Sequence, residues 1–143
     1  MQVEIVTSAT DEVVEAFRAL IPQLSSTAEP VTRQSLEAVL DDSAITVFVA
    51  RHDDRIVGTL TLAIFQIPTG VRAWIEDVVV DNAARGLGAG LALTNAAVQF
   101  ARERGARSVD LTSRASREAA HRLYEKAGFL IRETNVYRFA LED

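Results

Sequence analysis

Three glycines, Gly86, Gly88 and Gly90, alternate directly ahead of an apolar helical pattern, with Arg85 before them. Glycine lets the backbone take positive φ and lets a ligand come close. Successive N–H groups in such a run converge on one point, and a helix N-terminus adds roughly half a positive charge there. The run Arg85-Gly86-Leu87-Gly88-Ala89-Gly90 therefore suits a phosphate. Two common phosphate loops fit badly. A Walker-type loop needs a lysine followed by Ser or Thr, whereas Leu91 follows Gly90. A dinucleotide loop needs its strand to run straight into the first glycine, with an acid about 20 residues on. Asp110 supplies such an acid, but Asp81 to Arg85 separate the strand from Gly86.

Other chemistries have weaker carriers. The chain has no cysteine, which removes disulfides, thiolate metal sites and a cysteine nucleophile. His52 and His121 belong to no cluster with metal-ligand spacing, so no metal is expected. Ser113 lacks the glycines of a nucleophile elbow.

The elements that must hold the loop read as follows. Gln2 to Thr7 alternates like a strand. Thr10 can cap a helix with the stripe Val13, Val14, Phe17 and Leu20, which Pro22 should close. Thr32 to Leu40 reads as a second helix. Ile45 to Ala50 and Arg55 to Phe65 form a hairpin about His52-Asp53-Asp54, and Arg72 to Val80 is a third long strand. After the glycines, Leu91 to Arg104 is a helix ended by Gly105. Ser108 to Thr112 is a short strand, Ser116 to Ala127 a helix, and Asn135 to Leu141 a closing strand. The expectation is one mixed α/β domain over residues 1–143. It has an antiparallel front and one β-α-β crossover at the rear.

A second segment extends the motif. Arg85-x-x-Gly88-x-Gly90 after an apolar strand resembles the coenzyme A loop of the GNAT family of N-acetyltransferases. Ala120, Leu123, Tyr124, Gly128 and Phe129 are similar to that family's second coenzyme segment. The asparagine that often opens that segment is replaced by Arg117. The resemblance implies a GNAT-like mixed, largely antiparallel sheet of about six to seven strands with about four helices. It implies acetyl-coenzyme A as cosubstrate, with its pantetheine laid along the backbone of Val78, Val79 and Val80 like an added strand. It also implies that the fourth and fifth strands splay apart to admit the thioester.

On that reading the reaction is acyl transfer to an amine. It needs a neutral amine, a stabilised carbonyl oxygen and a leaving thiolate. Tyr124 is the candidate partner of the leaving group. A phenol is a weaker acid than a thiol by about 1.5 pKa units, so outright donation is uphill by roughly 2 kcal/mol. A strong hydrogen bond, or a proton passed on from the attacking amine, is the better role. Glu76 is the candidate base, and strand alternation would set Asp77 on the opposite face. The N–H of Val79 or Val80 is the expected oxyanion donor, by resemblance. Trp74, Phe65 and Phe17 are candidate acceptor-lining aromatics, against a plain core role.

The bulk numbers bound the rest. A formal charge of −5 disfavours a nucleic-acid partner and mildly favours a cationic acceptor. The first residues carry no basic n-region and no apolar run reaches membrane length, so a soluble, cytoplasmic protein is expected. The acceptor would be a small-molecule or peptide amine. A catalytically silent acyl-coenzyme A module on the same fold is the competing reading, and a longer acyl donor a third. The resemblance also admits a homodimer, for which the sequence marks no interface.

Overall fold

The computed structural model describes residues 1–114 and 116–142. Its elements are β1 (Gln2–Ile5), α1 (Asp11–Leu24), α2 (Arg33–Asp41), β2 (Ile45–His52), β3 (Arg55–Ile67), β4 (Gly70–Val80), α3 (Ala89–Glu103), β5 (Val109–Asp110) and α4 (Glu118–Lys126). The sheet order is β1-β2-β3-β4-β5, antiparallel except for the parallel β4–β5 pair. The described residues thus form the mixed, largely antiparallel sheet with four α-helices that the resemblance implied.

Both faces of the sheet are covered, so its central strands are apolar on successive residues rather than alternating. Phe48, Ala50, Leu60, Leu62, Ala73 and Ile75 pack under α3 through Leu93, Ala97 and Ala101. Val47, Val49, Ile56 and Val79 face the other way, onto Val13, Val14, Phe17 and Leu20 of α1 and Leu36 of α2. Leu93 is fully buried at the centre of the first layer. Leu93→Ala is expected to lower unfolding stability by about 2–5 kcal/mol, read as a shifted urea midpoint with an unchanged slope.

Local signals account for most boundaries. The Thr10 hydroxyl accepts from the Val13 N–H and caps α1. Thr32 and Ser35 form a reciprocal capping box at α2. His52 pairs with Arg55 across a two-residue turn in which Asp53 and Asp54 both have positive φ, the geometry that suits the twist of the flanking strands.

Three expectations need correction. Pro22 does not end α1, which runs on to Leu24. A proline in a last turn forfeits one backbone bond, and the Ser25 N–H still reaches the Ile21 carbonyl at 2.9 Å. The strand expected over Ser108–Thr112 pairs only at Val109 and Asp110. Asn135–Leu141 forms no strand: it is exposed chain outside the sheet. The described sheet therefore has five strands, not six or seven. Alternation tells which face a strand would present, but not which edge receives it.

Candidate active site

A bulge in β4 sets the site. Thr59 pairs with Val79, while Thr61 already pairs with Glu76. One residue on β3, Leu60, thus stands opposite two on β4, Asp77 and Val78. Asp77 takes φ +49°, a left-handed conformation that Asp tolerates better than most residues. The extra residue reverses the sidedness of the strand. Ala73 and Ile75 face α3, but beyond the bulge it is Val78 and Val80 that pack there, and Val79 turns to the α1 side. Strict alternation therefore does not hold across Asp77 and Val78, and the side chains of Glu76 and Asp77 are exposed.

The same strand then loses its neighbour. β5 pairs with β4 only at Ala73 and Trp74, so the β5 side of β4 is open from Ile75 to Val80. A cleft of about 700 Å³ opens there. Val78, Val79 and Val80 form one wall, Gly86, Gly88 and Gly90 the floor, and Arg117 to Ala120 with Leu123 and Tyr124 the other wall.

The cleft is built for negative charge. Gly86 and Gly88 hold φ of +85° and +86°, and a Cβ at either would meet nothing within 4 Å, only the open cleft. Gly88 sits at the N-cap of α3 without a side-chain cap, so the first N–H groups of that helix are left for a ligand. Arg117 occupies the N-cap of α4, also without a side-chain cap. Two positive helix ends thus meet across one cleft. Arg85, Arg117 and Lys126 line it against the single acid Glu118. A chain of net negative charge has concentrated cations here. The cradle and the donor set fit a diphosphate.

Gly90 works differently from its two neighbours. It lies inside α3, and a Cβ there would meet Leu123 Cδ2 at 3.3 Å. Its missing side chain lets α4 approach α3. Leu87 is exposed at the loop tip and Ala89 is buried beneath the loop.

Tyr124 lies on the cleft wall, its ring tilted against Phe129 with centroids 5.8 Å apart. Burial pushes its phenol above the ordinary tyrosine range, opposed in smaller part by the positive charge of Arg117. Glu76 is not in the cleft lining and stands exposed just before the bulge. His121 is occupied, with its Nε2 2.8 Å from the Arg114 carbonyl oxygen. His52 sits at the hairpin turn beside Asp53. Phe17 is core, Phe65 is exposed, and Trp74 is half-buried.

Gln23 and Leu24, at the end of α1, also line the cleft, and sequence reasoning missed them. Gln23 Oε1 accepts from the Asn82 N–H at 2.8 Å, tying α1 to the turn before the glycines. No sequence signal pointed to them, because Pro22 was expected to close α1 before Gln23.

These features are those of an acetyltransferase domain of the mixed α/β kind. The sequence matches the model of the acetyltransferase (GNAT) family over residues 10–129, and the chain belongs to that family. Solved structures agree in fold. A protein of Agrobacterium tumefaciens strain C58 assigned as an acetyltransferase is 26% identical, with a TM-score of 0.86, covering 98% of this chain and 100% of that one. A Trypanosoma brucei acetyltransferase is 28% identical, with a TM-score of 0.78 and coverage of 97% and 99%. An aminoglycoside acetyltransferase from an uncultured soil metagenomic sample, solved with sisomicin, is 22% identical with a TM-score of 0.82, covering 99% and 96%; at that identity the likeness speaks for the fold. No curated protein sequence matches. Among the described residues no helix is long and apolar enough to cross a membrane, and no group of three His, Asp or Glu side chains could hold a metal ion.

Proposed function

We propose that the protein transfers acetyl from acetyl-coenzyme A to a primary amine of a small molecule or peptide, by direct attack in a ternary complex. The observation that carries this reading is the cleft itself: an open strand edge, two uncapped helix N-termini and a tyrosine on one wall. The glycine loop and Arg85 hold the diphosphate, with Arg117 facing them from α4. The free backbone of Val78 to Val80 bonds the pantetheine amides. This aligns the thioester with the bulge, where the N–H of Val79 or Val80 receives the developing charge on the carbonyl oxygen.

The amine nitrogen bonds to the carbonyl carbon as the carbon–sulfur bond breaks. One proton leaves the nitrogen and one is needed at the sulfur. A raised phenol pKa makes Tyr124 a weaker acid than a free tyrosine, so its role is a hydrogen bond to the departing sulfur and relay of the amine's proton. Glu76, outside the cleft lining, takes the additional proton through water when the acceptor arrives as an ammonium, leaving the neutral amine to attack.

The sign of the pH dependence follows. Burial favours the neutral phenol, so Tyr124 keeps its proton through the range in which the acceptor loses its own. The value of kcat/KM is expected to climb between about pH 6 and 9 as the amine deprotonates, with no alkaline loss below about pH 10. A downturn below pH 9, with the thioester intact and retained in Tyr124→Phe, would assign the alkaline limb to a group other than the Tyr124 hydroxyl.

The test of the activity is release of free thiol from acetyl-coenzyme A with a panel of primary amines. Amine-dependent release supports the reading. Tight coenzyme binding without release for any amine makes the chain a binding module instead.

A further inference from the structure

The turn ahead of the glycine loop is held by a side chain from a distant helix. Asp81 to Ala84 carry four backbone N–H groups, and each has a partner. That of Asp81 donates to the Val57 carbonyl at 2.8 Å. Those of Ala83 and Ala84 donate to the Asp81 carboxylate at 3.0 Å and the Asp81 carbonyl at 2.9 Å. The fourth, on Asn82, donates to Gln23 Oε1 at 2.8 Å, across 59 residues of sequence. The loop from Arg85 to Gly88 therefore starts from a fixed point.

Gln23 is suited to this by its chemistry. Its Nε2 donates to the Ala19 carbonyl one turn back in α1 at 3.0 Å, so the amide is held at both ends. One end needs a donor and the other an acceptor, which an amide supplies and a carboxylate does not. The side chain reaches Asn82 because α1 continues past Pro22, and it lines the cleft together with Leu24. Folding alone gives little reason for the bond. Gln23 and Asn82 are both exposed, where one hydrogen bond adds little to stability. Its effect falls instead on the loop that Asn82 leads into.

We infer that Gln23 is a positioning residue for the coenzyme: it holds the turn so that the loop after it keeps the shape that receives the diphosphate. This rests on the reading of that loop as the diphosphate site. A loop that samples other shapes binds with an affinity reduced by the fraction of time it is competent. One hydrogen bond of ordinary strength changes such a fraction by about fivefold. Gln23 thus acts through Asn82 rather than by touching the ligand. It acts on coenzyme affinity rather than on the transfer step.

Two variants remove the bond from opposite ends. Gln23→Met keeps the length of the side chain and removes the amide. Asn82→Pro removes the N–H and leaves Gln23 in place. Asp81 has ψ +131°, which suits a residue before proline, and proline is favoured at the first position of a helical turn. Calorimetry with acetyl-coenzyme A is expected to show each variant binding about fivefold more weakly, and the double variant no worse than either. The KM for acetyl-coenzyme A should rise by the same factor, with kcat held within about twofold and the urea midpoint unmoved. In the unliganded variants the amides of residues 85–88 should exchange faster than in the wild type. Weaker binding in Gln23→Met but not in Asn82→Pro would mean that Gln23 touches the coenzyme itself, and the inference falls. Additive losses in the double variant overturn it too. So does unchanged affinity in both variants beside a wild type that binds, which leaves the diphosphate reading standing. A wild type that does not bind acetyl-coenzyme A removes that reading, and this inference with it.

Discussion

Gly88→Glu is expected to abolish coenzyme binding, with acetyl-coenzyme A affinity falling at least about 100-fold in calorimetry while the circular dichroism spectrum stays native. Three effects act together. Gly88 holds φ +86°, where a Cβ costs about 1–2 kcal/mol. The new side chain enters the open space of the cradle rather than packed protein. Its carboxylate stands where two helix ends, Arg85 and Arg117 would hold a diphosphate, so attraction becomes repulsion. Gly88→Ala separates these effects. It carries the backbone strain without the charge or the length, so it should lose stability by about 1 kcal/mol and keep most of the affinity. Equal affinity in Gly88→Glu and the wild type would show that the diphosphate lies elsewhere.

The second large effect is at Tyr124. Tyr124→Phe should lower kcat by about 100-fold, at the lower end of what one proton-handling group contributes, with coenzyme affinity held within about twofold. The substitution keeps the ring, and with it the packing on Phe129. Burial raises the phenol pKa against the opposing charge of Arg117, with no hydrogen bond contributing, so removing the oxygen orphans nothing. Stability should be unchanged to about 0.5 kcal/mol. That separation of rate from binding and folding is the signature of a group that acts on the reacting atoms. Undiminished turnover would leave Tyr124 as packing alone and would shift the thiolate's stabilisation to the backbone.

Much of the site was readable because its signals are local. Gly86 and Gly88 announce positive φ at alternate positions before a helix, and the structure has both. Asp53 and Asp54 mark a hairpin turn, and Thr10 and Thr32 mark helix starts. Each of these depends on a few neighbouring residues, whose chemistry is the same in any fold. Gly90 was legible as a glycine but not for its reason, since the need for it comes from Leu123 on a helix far along the chain. The sidedness of Val78 to Val80 was not legible for a similar cause. Alternation is a rule within a strand, and the bulge that broke it arises from the register with β3.

By itself, then, the amino-acid order determined the glycine turn ahead of α3, the helix stripes and the hairpin. Tertiary structure alone decided which strand faces the cleft after Asp77 and that β4 and β5 part beyond Trp74. It alone decided that Gln23 reaches across to Asn82, and that residues 135–141 lie off the sheet. The reason is physical. Caps, turns and periodicity are settled by interactions a few residues long. Strand edges, bulges and cleft walls are settled by pairings between distant segments, whose energies depend on partners that no local window contains.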